Sequence, residues 1–275
     1  MIFLFYFDSI FSNNLSTSFC ASSKKVWITG IISIRGMGRF IDINTLEKEK
    51  INYILKTYNI QKDFESELDY FNYMKGIDSE LINVEKVITP TNEEKYKLFM
   101  NWVNMFELDE ISNELITLTK SNGKSKNDIL KFINEPLRLE FLTALALQKK
   151  FTNIIVNPNY CVDDEGIPTS FATGGTPDIV CKDLNGNILF EVTLIVGAQQ
   201  CIREMNSITR HLIDCIKIEK DSFSVILAPS IHEDTIRFAD YIKFKEEIDI
   251  IPVDIPSFVE KLSVYNNIRE FRVQA

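Results

Sequence analysis

Two acids on either side of a turn are the residues in this chain best suited to chemistry. Asp178 follows Pro177 at the head of an apolar run, and Glu191 lies 13 residues further on, inside Leu189-Phe190-Glu191-Val192-Thr193-Leu194. Between them Leu184-Asn185-Gly186-Asn187 supplies an Asn-Gly turn, the short-range signal for a hairpin. Folding back at that turn lets both carboxylates converge on one side. Strand alternation sends Glu191 and Thr193 to one face and Phe190, Val192 and Leu194 to the other, toward a core. An acid on an otherwise apolar strand is costly unless it has a partner or a metal. Hard cations such as Mg²⁺ take oxygen ligands from one or two carboxylates plus a substrate phosphate. Asp178 and Glu191 are therefore the expected metal ligands, although the hairpin alone also fits an edge strand with a solvated Glu.

Further residues join this pair. The stretch Gly197 to Lys220 reads as a long helix directly after the second strand, and on it Glu204 and His211, seven residues apart, share a face. Upstream, Glu140 stands as a lone acid within Leu137-Arg138-Leu139-Glu140-Phe141-Leu142, an expected amphipathic helix. Taken singly, Glu140 reads as a boundary residue and His211 as a structural histidine. Taken with Asp178 and Glu191 they make a set of acids and one imidazole suited to cation-assisted hydrolysis.

These residues carry a resemblance. The acid–hairpin–acid arrangement is similar to the core of the PD-(D/E)xK nucleases. PDIV followed by FEVTLIVGAQQCIREMNSITRH resembles the cleavage domain of the AlwI-like type IIS restriction endonucleases, a group that includes nicking enzymes. The resemblance implies an active site of Asp178, Glu191 of the E-V-T motif, Glu204 and Glu140, with His211 as the histidine after the helical Glu. The spacing is matched: 13 residues from Asp178 to Glu191 and 13 from Glu191 to Glu204. It also implies an Mg²⁺-dependent type II site-specific deoxyribonuclease acting on double-stranded DNA and leaving 5′-phosphate and 3′-hydroxyl ends. A double-strand cut would need a second nuclease subunit or cleavage domain. The usual superfamily lysine is replaced by Thr193, so Glu204 is expected to orient or deprotonate the water, with His211 or Gln200 nearby.

Thr29 to Ile51 (TGIISIRGMGRFIDINTLEKEKI) is similar to the segment such enzymes place between recognition and cleavage domains. The family's N-terminal recognition domain has no counterpart, and about 25 unmatched residues stand in its place. The expectation is thus a cleavage part that lacks its recognition domain, with a second nuclease subunit or a separate recognition subunit as the expected partner. Two alternatives stay open: an inactive truncated remnant, and a repair or RNA nuclease of the same superfamily.

The elements that must position these residues divide the chain into three. Residues 1–25 are an apolar, then Ser/Asn-rich start. Residues 26–120 read as a mostly helical linker domain, with a strand at 26–34 and helices near 45–58, 63–75, 92–106 and 109–119. Ser121-Asn122-Gly123-Lys124-Ser125 is the expected break. Residues 126–275 read as α/β: a helix over 127–150 kinked before Pro136, a strand at 153–156, a loop over 157–176, then the acid hairpin. The helix at 197–220, strand 223–227, helix 231–245, strand 248–253 and helix 257–262 follow. A helix before a hairpin, then strand, helix and strand, predicts a central mixed β-sheet flanked by helices.

Composition sets bounds. The chain has 275 residues, 45% apolar and 25% charged, ordinary for a globular protein. The net charge of −9 works against phosphate binding, unless basic residues are grouped locally. Arg35 and Arg39 flank the glycines of Arg35-Gly36-Met37-Gly38-Arg39, and Lys124 and Lys126 lie beside Lys120, Lys131 and Arg138. Arg35, Arg39, Lys124 and Lys126 are the expected DNA contacts. The five cysteines form no CxxC pair, which argues against structural zinc and a disulfide scaffold. No apolar run reaches a membrane-spanning length, so a cytoplasmic protein is expected.

Overall fold

A computed structural model describes residues 32–35, 40–44, 48–57, 66, 91–120, 123–172 and 174–273. The chain divides into two compact units, Met1–Thr91 and Asn92–Ala275. In the first, β1 (Ile32–Arg35) and β2 (Phe40–Ile43) form an antiparallel hairpin that pairs Arg35 with Phe40. A helix, α1 (Lys48–Thr57), follows. The glycine turn with Arg39, the side chain of Arg35, residues 1–25 and the helix expected near 63–75 lie outside the described residues, apart from a bend at Ser66.

The second unit begins ahead of the break expected at 121–125. Helices α2 (Asn92–Met105) and α3 (Leu108–Thr117) place Phe99, Trp102, Ile111 and Leu115 in the same apolar core as the residues of the sheet. After a single 3₁₀ turn at Leu130–Phe132 comes α4 (Glu135–Lys150). Pro136 starts this helix and does not kink a longer one. Asn134 caps it by accepting from Leu137 N–H at 3.1 Å, and a proline in the first turn removes only an N–H that has no helical partner. Every residue from Leu137 to Gln148 is buried, so α4 is a central helix enclosed on all sides and not the amphipathic one expected.

The sheet follows: β3 (Ile155–Pro158), β6 (Ile179–Lys182), β7 (Asn187–Val192), β8 (Phe223–Ala228) and β9 (Ile250–Asp254), in that spatial order. Strands β3, β6 and β7 pair antiparallel, and β7, β8 and β9 pair parallel. The long loop expected over 157–176 contains a small hairpin, β4 (Cys161–Val162) with β5 (Pro168–Ser170). The parallel crossovers are α5 (Gln199–Ile216) and α6 (Glu233–Glu246); α7 (Ile255–Val264) and a last turn, α8 (Glu270–Val273), end the unit.

One face of the sheet packs Leu189 and Ile226 against Met205, Ile208 and Leu212 of α5 and Ala239 of α6. The other packs Ile188, Phe190 and Val225 with α4 and α7. This is an α/β fold with a mixed central sheet flanked by helices. The acid hairpin turns through four residues, 183–186, between the paired Lys182 and Asn187. Asp183 closes the turn by accepting from the N–H groups of Asn185 and Gly186 at 2.8 and 3.0 Å. Gly186 is required there because a Cβ would come within 2.7 Å of the Asp221 carbonyl oxygen. Arg269 clamps the turn from the far end of the chain, bonding both Asp183 oxygens at 2.6 and 2.9 Å.

Candidate active site

Strand β7 lies at the centre of the sheet, and its apolar alternation leaves one polar position near its end. Glu191 is only 7% exposed. The β6–β7 register pairs Ile179 with Phe190, and continuing it by one residue sets Asp178 opposite Glu191. Asp178 Oδ2 accepts from the Val192 N–H at 2.8 Å. The Asp178 carbonyl accepts from Asn159 N–H at 2.9 Å, and the Asn159 side-chain amide donates to the Pro177 carbonyl at 2.7 Å. The hairpin thus holds the first acid by its own backbone and by the loop after β3.

Helix α5 supplies the next groups on the Glu191 face. His211 Nδ1 is 2.7 Å from Glu191 Oε1, with both side chains 9% exposed. His211 Nε2 is buried without a hydrogen-bond partner among the described residues. Thr193, at the position where the superfamily lysine would stand, donates from Oγ1 to Glu204 Oε1 at 3.3 Å and accepts from Ile195 N–H at 3.1 Å. The hydroxyl therefore holds Glu204 in place where a cation would otherwise reach.

Gln200 has a different task from the one expected. It is fully buried; its Nε2 donates to the carbonyls of Ile195 and Ser230 at 2.9 and 3.1 Å. Its Oε1 accepts from His232 N–H and Thr235 Oγ1 at 3.2 and 2.9 Å. With both amide hydrogens and the oxygen engaged, it staples the exit of β7 to the start of α6 and is not free for substrate.

Glu140 comes from α4, which packs on the opposite face of the sheet, yet it belongs to the same electrostatic cluster. Burial, followed by the charges of Asp178 and Glu191, pushes its pKa up to about 8. Burial and then Glu191 push Asp178 up to about 7, with Glu204 adding to the rise. Burial raises Glu204, against the pull of the Thr193 hydrogen bond. The hydrogen bond to Glu191 raises His211 above its ordinary value. Five groups from four elements therefore sense one another. The mutual repulsion of the acids, relieved in part by His211, marks a place short of positive charge.

That shortage is the test of fit for a divalent cation. Among the described residues no three His, Cys, Asp or Glu side chains stand in metal-ligand geometry. Mg²⁺, however, is held by one or two carboxylates with water and phosphate completing its shell, a donor type that Asp178 and Glu191 would match. The orphaned Glu140 Oε2, only a few per cent exposed as part of its residue, adds a further oxygen to the acid set.

The remaining basic residues separate sharply. Lys124 and Lys126 are exposed on the segment before the 3₁₀ turn. Arg138, grouped with them from the sequence, is 1% exposed. Its guanidinium donates to the carbonyls of Gly123, Leu130 and Ile133, so it anchors that segment and is closed to DNA. The four described cysteines, Cys161, Cys181, Cys201 and Cys215, are free thiols. No helix among the described residues is long and apolar enough to cross a membrane.

The family model described as AlwI restriction endonuclease matches residues 80–261, more than half of the chain. Among solved structures, the small subunit (R.BspD6I2) of the heterodimeric restriction endonuclease R.BspD6I matches with 26% identity. The match covers 56% of this chain and 76% of that one, with a TM-score of 0.47. No protein with a curated description matches.

Proposed function

Because the chain belongs to the AlwI restriction endonuclease family, we propose that it is an Mg²⁺-dependent type II DNA endonuclease with Asp178 and Glu191 as the cation ligands. The observation that carries this reading is Glu191: a buried acid on the central strand, bonded to His211 and sharing its electrostatic field with Asp178, Glu140 and Glu204. A divalent cation held there offsets charge on the phosphodiester and acidifies a water.

The chain's own groups divide the remaining work. The Val192 N–H holds Asp178 through its Oδ2. His211 Nδ1 orients Glu191 through Oε1, the role of a group that fixes a metal-ligating carboxylate from behind. Its buried Nε2, without a partner among the described residues, carries a proton only in the imidazolium form, which the Glu191 contact favours. Glu204, steadied by Thr193, accepts the proton as water oxygen bonds to phosphorus. The P–O3′ bond breaks, O3′ takes up a proton, and the products are a 5′-phosphate and a 3′-hydroxyl. Positioned proton transfer of this kind contributes roughly 10²–10⁴-fold.

Double-stranded DNA is the substrate of this reading, contacted by exposed Lys124 and Lys126 and by Arg35 and Arg39 of the glycine turn. The chain serves as a cleavage part that works with a second nuclease subunit or a recognition subunit. The test is relaxation of supercoiled plasmid with Mg²⁺, with and without chelator, for the chain and for Asp178→Asn. Calorimetry with Ca²⁺ reads the cation site independently of turnover. Mg²⁺-dependent nicking or linearisation, and a Ca²⁺ site lost in Asp178→Asn, are expected. Cleavage that survives both chelation and the substitution refutes the assignment.

A further inference from the structure

Three buried oxygens on α4 and on the loop after β3 have no hydrogen-bond partners among the described residues: Glu140 Oε2, Thr143 Oγ1 and Tyr160 OH. Their residues are 3%, 0% and 5% exposed. Thr143 follows Glu140 by three positions on α4, so both occupy one face of the helix. Tyr160 is brought to them from two directions. Its ring packs edge-on against Phe141 with centroids 6.0 Å apart. The preceding residue, Asn159, is bonded to the carbonyls of Pro177 and Asp178. The loop after β3 thus lodges Tyr160 between the helix carrying Glu140 and the strand carrying Asp178.

A phenylalanine would fill that core position without burying a hydroxyl, as Phe141 does next to it. A buried hydroxyl is ordinarily satisfied by protein or by ordered water, and a buried water needs two to four polar partners. Glu140, Thr143 and Tyr160 supply three. Burial, and then the charge of Glu140, raises the Tyr160 hydroxyl pKa, so the two groups lie within electrostatic reach.

We propose that Tyr160 and Thr143 are positioning residues for Glu140, their hydroxyls joined to its carboxyl through shared buried water; this deepens the active-site reading above and rests on it. Both hydroxyls can donate toward Glu140 Oε2, which accepts whether the carboxyl is ionised or carries its proton on the other oxygen. The network fixes the Glu140 rotamer and aims the carboxyl at Asp178 and Glu191. A purely space-filling Tyr160 would do neither.

The experiment has one arm that does not need turnover. Cation-free protein is labelled with ¹³C at the phenolic carbon of tyrosine, and the Tyr160 signal is assigned by its loss in Tyr160→Phe. In Glu140→Gln that signal is expected to shift and its hydroxyl proton to exchange faster; Thr143→Val, which keeps the side-chain shape, is expected to shift it as well. A Tyr160 signal unmoved by Thr143→Val and by a folded Glu140→Gln overturns the network. The second arm is plasmid cleavage by Tyr160→Phe, expected to lose about 10-fold in kcat with KM unchanged and the near-ultraviolet spectrum retained. An unchanged kcat removes the positioning role. If the Tyr160 signal responds while the parent chain neither cleaves DNA under any divalent cation nor binds Ca²⁺, the nuclease reading has failed and the hydrogen-bond network stands.

Discussion

His211 Nδ1 lies 2.7 Å from Glu191 Oε1, tying the middle of α5 to the acid at the end of the central strand β7. The contact engages one oxygen of the Glu191 carboxylate. Replacing His211 with Ala is expected to lower cation affinity and cleavage by about 10–100-fold. It also strands a buried carboxylate oxygen, at a cost of about 1–3 kcal/mol. Calorimetric Ca²⁺ affinity and kcat read the first effect, and urea unfolding reads the second. A variant with parental cation affinity would show that the pair is structural only.

Glu204→Gln separates chemistry from folding. Glu204 is half-buried, and its carboxylate accepts a hydrogen bond from Thr193 Oγ1; an amide keeps that contact. Cleavage is expected to fall by at least ~10²-fold while the melting temperature stays within a few degrees. Thr193→Val, which releases Glu204 without removing it, is expected to give a smaller loss. Parental turnover in Glu204→Gln excludes it as the proton acceptor.

The acids give the cation-free protein a defined pH dependence. Glu140 titrates at about 8 against an ordinary 4.5, and Asp178 at about 7 against 3.8. A carboxyl raised on folding binds its proton more tightly in the folded state. Its stabilisation is full below the unfolded pKa and is lost as pH rises through the folded one. His211, also raised, loses its contribution in the same direction. Cation-free protein is therefore expected to melt at progressively lower temperature from about pH 4 to pH 8. A divalent cation favours the ionised acids, so the Mg²⁺-induced rise in melting temperature should grow with pH. An equal rise at pH 5 and pH 8 would count against a carboxylate site.

Gln200 is predicted to matter for stability alone. Its four hydrogen bonds join the residues after β7 to the start of α6, and Gln200→Leu leaves several buried groups unpaired. A loss of about 3 kcal/mol in urea unfolding is expected, with cleavage per folded molecule within threefold of the parent. A large fall in kcat without destabilisation would return Gln200 to the reaction.

Some of this design was legible residue by residue. The period of two along Leu189 to Leu194 already separated Glu191 and Thr193 from the core-facing Phe190 and Val192, and β7 keeps that division between the two faces of the sheet. The seven-residue interval from Glu204 to His211 aligned them on one face of α5, and each now holds a group at the end of β7. Both inferences rested on local geometry, which repeats along any strand or helix. By sequence the helices at 92–117 fall with the helical segment ahead of the Ser121–Ser125 break. Their burial against α4 depends on a partner surface far along the chain. By sequence Arg138 groups with the basic residues around Lys124 and Lys126. The carbonyls of Gly123, Leu130 and Ile133 turned it inward, and nothing in its neighbours signals that.

The amino-acid order alone determined which acids were available, how a turn paired Asp178 with Glu191, and which helical face carried Glu204 and His211. These are short-range consequences of turn chemistry and of the strand and helix periods. Only the tertiary structure decided that Glu140 joins them from the opposite face of the sheet, that Gln200 is consumed as a staple, and that Tyr160 is lodged beside Glu140. Those outcomes depend on which surfaces become enclosed when distant elements pack, and burial changes both the pKa of an acid and the partners open to a polar group.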